Sequence, residues 1–139
     1  MMNGKLNAGE VSITLGGESC TLRPTMRAHT TLSRLHGGLA KVRQMLMDEN
    51  IDGFVAVIAA GINPSMNAKE LDKLREKIWD NGVNWDLARP LMKYIAILNN
   101  GGRELPPEID AIFDDDMTTA NEIPSQQNDR IEDYSEGNG

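Results

Sequence analysis

Cysteine is almost absent: Cys20 stands alone, which excludes an intramolecular disulfide framework and every multi-thiolate zinc or iron–sulfur site. Aromatic residues are nearly as scarce, with only Phe54, Phe113, Trp79, Trp85, Tyr94 and Tyr134 in 139 residues, so the core has to be aliphatic. The longest apolar run, Phe54 to Ala60, falls far short of the ~18 residues that span a bilayer. The N-terminal residues also lack the charged and apolar sections of a secretory signal. Together these absences predict a cytoplasmic protein that makes no use of a membrane.

Charge of one sign is missing from one part of the chain. Residues 1–103 hold 13 basic and 10 acidic side chains, whereas residues 104–139 hold Arg130 against 11 acids, and the overall charge is −7. The second stretch is also rich in Asn, Ser, Gln, Gly and Pro, a composition that buries too little apolar surface to offset the entropy of ordering. It is expected to be a disordered acidic tail over 103–139, following a flexible N-terminus at 1–8 and a folded region at 9–102. Such a charge balance disfavours nucleic acid and anionic membranes as partners.

Within the folded region, Val11, Ile13 and Leu15 alternate with Ser12 and Thr14, and Gly16-Gly17 follows as a two-residue turn. The spacing predicts a β-hairpin with Ile13 opposite Cys20 and Val11 opposite Leu22, apolar on one face. An isolated ribbon is marginal in water and leaves an open edge, so Val11, Ile13 and Leu15 are candidates for packing on helices or for self-association into a homo-oligomer. From Pro24 onward the pattern is helical. Thr25 is placed to cap a helix carrying Met26, His29, Leu32 and Leu35 and stopped by Gly37-Gly38. Leu39, Val42 and Leu46 predict a second helix to about Glu49. A third, from about Asp52 to Ile62, is apolar on nearly all sides and should be the buried centre. Asn67 and Glu70 form a capping-box pattern ahead of Leu71, Leu74 and Ile78. Leu87, Leu91, Ile95 and Leu98 predict a fifth helix from about Trp85, kinked or started by Pro90 and ended by the Asn-Gly run at 99–102. The fold class is therefore α+β, mainly α: an N-terminal hairpin on a bundle of four to five short helices.

In this layout the chain resembles the phage tail assembly chaperones of the gene transfer agent and siphophage type, encoded beside the tail tube protein. The resemblance covers residues 9–102 and rests on Gly9-Glu10-Val11, the ribbon Ile13-Thr14-Leu15-Gly16-Gly17, the exit Leu22-Arg23-Pro24-Thr25, and the helix Val57-Ile58-Ala59-Ala60-Gly61-Ile62. It implies a non-enzymatic protein of the host cytoplasm, absent from the mature virion, with the tape measure protein and the tail tube protein as partners. It implies no cofactor.

Other chemistry finds little footing. His29 and His36 lack the further ligands of a metal site, Cys20 lacks a base, and Asp114-Asp115-Asp116 lacks the alternating ligands of a calcium loop. Arg34, Lys41 and Arg43 around a Gly-Gly turn suggest a small DNA-binding regulator as an alternative, but the second helix is too apolar to offer many base-reading positions. A tail tube or connector component is the other alternative. For a client of varied sequence the candidate contacts are the adaptable Met45 and Met47 with Lys41 and Arg43 at their rim. In the acidic stretch, Ile109, Ile112 and Phe113 follow Pro106-Pro107 at helical spacing and could form an amphipathic turn or two against a groove.

Overall fold

A computed structural model of the chain describes residues 7–114. These residues fall into two compact units divided between Leu105 and Pro106. The first opens with an antiparallel hairpin, β1 (Val11–Leu15) and β2 (Glu18–Leu22), in the expected register: Val11 pairs with Leu22 and Ile13 with Cys20. Gly16 and Gly17 take φ of 60° and 85°, the two positive values that let a two-residue turn follow the twist of its strands. Val11, Ile13, Leu15 and Leu22 are buried, whereas Ser12, Thr14, Ser19 and Thr21 form an exposed hydroxyl face.

Five helices follow in this unit: α1 (Met26–Arg34), α2 (Leu39–Met47), α3 (Ile51–Ile62), α4 (Ala68–Asn81) and α5 (Trp85–Asn99). Local chemistry places their ends. Thr25, Asn50, Asn67 and Asn84 each accept a backbone N–H of the first turn that would otherwise lack a partner, and Asn67 and Glu70 complete the reciprocal box. The turn from α2 into α3 is tight, because Asn50, which caps α3, also donates its N–H to the Met45 carbonyl at 2.9 Å.

α3 is the hub, packing on α1, α2, α4, α5 and β2. Two of its glycines permit close approach. An added Cβ at Gly53 would lie 2.7 Å from the Met45 Cβ of α2, and one at Gly61 would lie 2.7 Å from the Leu22 Cβ of β2. Beside Gly61 the strand exit is pinned twice. The Arg23 N–H donates to the Gly61 carbonyl at 2.9 Å, satisfying the end of α3, and the Arg23 carbonyl accepts the hydroxyl of buried Tyr94 from α5. The hairpin tip is held at α4, where Gly16 N–H donates to Asn81 Oδ1 at 3.0 Å and Lys77 pairs with Glu18. The hydrogen bond from Lys77 holds the Glu18 carboxyl below its ordinary range, and the same bond raises Lys77.

Several expectations are corrected. The buried face of α1 is Ala28 and Leu32, not the row through Met26 and His29: Met26 is 84% exposed, and Leu35 lies beyond the last turn, where His36 turns left-handed with φ 52°. Ile62, expected to be buried with the rest of α3, is exposed. Pro90 does not start α5 but sits inside it. Its missing N–H removes the usual i+4 partner of the Asp86 carbonyl in the first turn. Leu105 packs on the core, and the expected unstructured stretch from 103 contains α6 (Pro107–Asp114), the helix of the second unit. Pro107 opens α6 and Glu108 and Asp110 lie in its first turn, where they favour the helix dipole. The remainder of the expected tail, from residue 115, and residues 1–6 of the expected flexible N-terminus lie outside the described residues. Among those described, no helix is long and apolar enough to cross a membrane.

Two measurements test this packing. Gly61→Ala forces a methyl group against Leu22 and should lower stability by about 1–3 kcal/mol, seen as a Tm drop of roughly 5–20 °C. Burial pushes the Tyr94 phenol well above its ordinary value of 10.0, so the folded state favours the neutral form. That contribution is complete below about pH 10 and is lost as the unfolded chain ionises above it. Denaturant unfolding should therefore show stability falling through about pH 10–11, and less steeply in Tyr94→Phe. The variant should also be about 1 kcal/mol less stable near neutrality, the amount being small because the Thr25 N–H still satisfies the Arg23 carbonyl.

Candidate functional site: an apolar cleft across α3

α3 is covered on most of its circumference, but one strip remains open. Val55, Ala56, Ala59 and Ala60 form the floor of a cleft of about 270 Å³ between α1 and α4. Thr31, Leu35 and His36 make one wall, Leu71, Asp72 and Arg75 the other, and the turn at Asn63-Pro64 with Met66 closes one end. The recess exists because the floor side chains at 56, 59 and 60 are methyl groups on one helical face, too short to fill the gap between the flanking helices. Across it, Arg75 meets Asp52 at 2.6 Å. Both side chains are about half-exposed, so this bridge contributes at most ~1 kcal/mol and mainly orients the guanidinium. Trp79, 70% exposed, lies one turn beyond Arg75 on the same face of α4.

A second recess, of about 440 Å³, lies between the start of α1 and the end of α5. Cap and turn residues, Pro24, Thr25, Asn99 and Gly101-Gly102, line it together with His29, Leu98 and the exposed Met26.

The residues singled out from the sequence are not in the cleft. Val11, Ile13 and Leu15 are at most 5% exposed and belong to the protein's own core, so their side chains are not a surface for a client or a second copy. The alternation of the strand was read correctly; α5 and α4 take the face that was left open for a partner. Met45 and Met47, expected to act together, are separated by helix geometry. Two residues along a helix means a turn of about 200°, which puts them on opposite flanks of the buried row Leu39, Val42 and Leu46. Met45 is half-buried against Gly53, whereas Met47 is exposed. Lys41 and Arg43 are exposed and divide between the same two flanks. In the second unit, Ile109, Ile112 and Phe113 all lie on α6, with Ile109 and Ile112 exposed.

Cys20 is half-buried, with the Glu18 carbonyl 4.0 Å from its Sγ. His29 faces Ser33, and His36 has left the helix, so the two histidines do not share a helical face. Among the described residues no group of three or more His, Cys, Asp or Glu side chains could hold a metal ion. The signal for the cleft was present in the alanines at 56, 59 and 60, which a reading of α3 as uniformly buried passed over.

No family model, no curated protein and no solved structure matches this chain.

The separation of the two methionines is measurable. Met47→Glu should leave urea stability within ~0.5 kcal/mol of the parent. Met45→Glu, which puts a carboxylate into the α2–α3 contact, should cost about 1–3 kcal/mol. Equal losses in the two variants would show that the flanks are not distinct.

Proposed function

We propose that this protein is a phage or gene transfer agent tail assembly chaperone that acts in the host cytoplasm and leaves before the virion is complete. In this reading it binds an apolar helical segment of the tape measure protein in the cleft across α3 and keeps that segment from self-association while tail tube protein is recruited. The resemblance of residues 9–102 to that family motivates the reading. The observation that carries it is the open, methyl-floored cleft beside exposed Leu35 and Trp79. A client that is a long helix needs such a trough, deep enough for side chains and long enough to run past a single pocket. The apolar floor offers a docked chain few hydrogen-bond partners, so an occupant must satisfy its own backbone, as a helix does.

Ala56 is half-buried on the floor, and leucine there fills the trough without entering the core. Ala56→Leu should abolish co-purification with the tape measure protein while leaving the circular dichroism spectrum unchanged and Tm within a few degrees. Undiminished capture by this variant would move the client away from the cleft. Failure of the parent protein to capture the tape measure protein at all would overturn the chaperone reading, and recovery of the chain from purified virions would favour a tube or connector component instead.

A further inference from the structure

The two walls of the cleft differ in charge. On α1, Arg27, Thr31 and Arg34 follow one another at i, i+4 and i+7 and so share a side of the helix; Thr31 of that side lines the cleft together with Leu35 just beyond the helix, and the two arginines stand at its rim. Arg27 and Arg34 are both exposed, and neither forms a salt bridge among the described residues. Their own stretch of chain is basic throughout: between Glu18 and Asp48 the sequence contains no acidic residue, while Arg23, Lys41 and Arg43 add further positive charge. The α4 wall contributes one carboxylate and one guanidinium to the lining, Asp72 and Arg75. Arg75 is neutralised by Asp52 at 2.6 Å, which leaves Asp72 without a salt bridge among the described residues.

We infer that the cleft selects its partner by charge and takes an amphipathic helix whose apolar stripe is flanked by acidic residues on the α1 side and a basic residue on the α4 side. This rests on the reading of the cleft as a helix-docking site, and it names the chemistry of the helix. Arg27 and Arg34 are seven residues apart, a rise of about 10 Å, or two turns. Two acids seven residues apart on a partner helix have the same spacing and lie on one edge of its apolar stripe. The lone carboxylate of Asp72 sets the other edge. A helix docked in the reverse direction would bring acid to Asp72 and base to the arginines, so the charges fix the direction of the partner, whereas the methyl floor supplies contact with little preference between apolar residues.

The probes are two designed, fluorescently labelled helical peptides of about 18 residues with the same Leu/Ala stripe. One carries Glu at two positions seven residues apart on one edge and Lys on the other; its counterpart carries Lys on both edges, so that reversing its direction in the cleft does not restore the match to the arginines. Anisotropy titrations onto the full chain should show the first peptide binding about tenfold more tightly at low salt. The difference should shrink severalfold in about 0.5 M salt. Arg27→Glu with Arg34→Glu should reverse the preference, and Arg27→Gln with Arg34→Gln, a milder change, should erase it. Equal binding of the two peptides to the parent overturns charge selection and leaves helix docking standing. A preference that survives both double variants overturns the assignment to Arg27 and Arg34. If neither peptide binds, the docking reading falls together with this inference.

Discussion

The contact on which the rest of the first unit depends is the approach of β2 to the last turn of α3. With no side chain at Gly61, the Leu22 backbone comes close enough for the next residue, Arg23, to donate its N–H to the Gly61 carbonyl. That single residue, with the two that follow it, then serves three elements. Its N–H ends α3, its carbonyl receives the Tyr94 hydroxyl from α5, and Pro24 and Thr25 immediately beyond it turn the chain into α1. A bulkier residue at 61 would separate the strand from the helix and disturb all of these at once, because a buried polar group that loses its partner costs more than the bond contributed. Gly53 does the same at the other end of α3, where Met45 of α2 lies against it.

With α3 held at both ends by close contacts, the helices around it are set at distances that its middle cannot fill on every side. Phe54, Val57 and Ile58 occupy the inner directions and are completely buried. The outward direction has Ala56, Ala59 and Ala60, and the gap left there is the cleft. Core and candidate site are thus two faces of one helix, distinguished by side-chain volume. Their electrostatics differ as well: among the described residues no charged side chain is buried in the core, whereas Asp52, Asp72 and Arg75 line the cleft.

The hairpin illustrates how a correct local reading leaves open what covers an apolar face. Its register, turn and apolar face are all dictated by residue order, since alternation and two glycines leave only one consistent pairing. Nothing local says what covers the apolar face. α5 and α4 cover it within the same chain, so the side chains of Val11, Ile13 and Leu15 belong to the protein's own core.

Residue order by itself determined the parts of this protein that are governed by short-range rules. The hairpin, the five helices of the first unit, the caps at Thr25, Asn67 and Gly16-Gly17's turn, and the central position of α3 all follow from periodicity and from the hydrogen bonding of residues three or four apart. Even α6 was visible in the spacing of Ile109, Ile112 and Phe113 after a proline pair. What required tertiary structure was every decision about which of two apolar surfaces would be covered. Met26 and Ile62 look like core residues in the sequence and are exposed, whereas the alanines of α3 look unremarkable and floor a cleft. Hydrophobicity states that a side chain gains by leaving water and is silent on which neighbour removes it, and that depends on backbone distances set by contacts such as Leu22 on Gly61, between residues far apart in the chain.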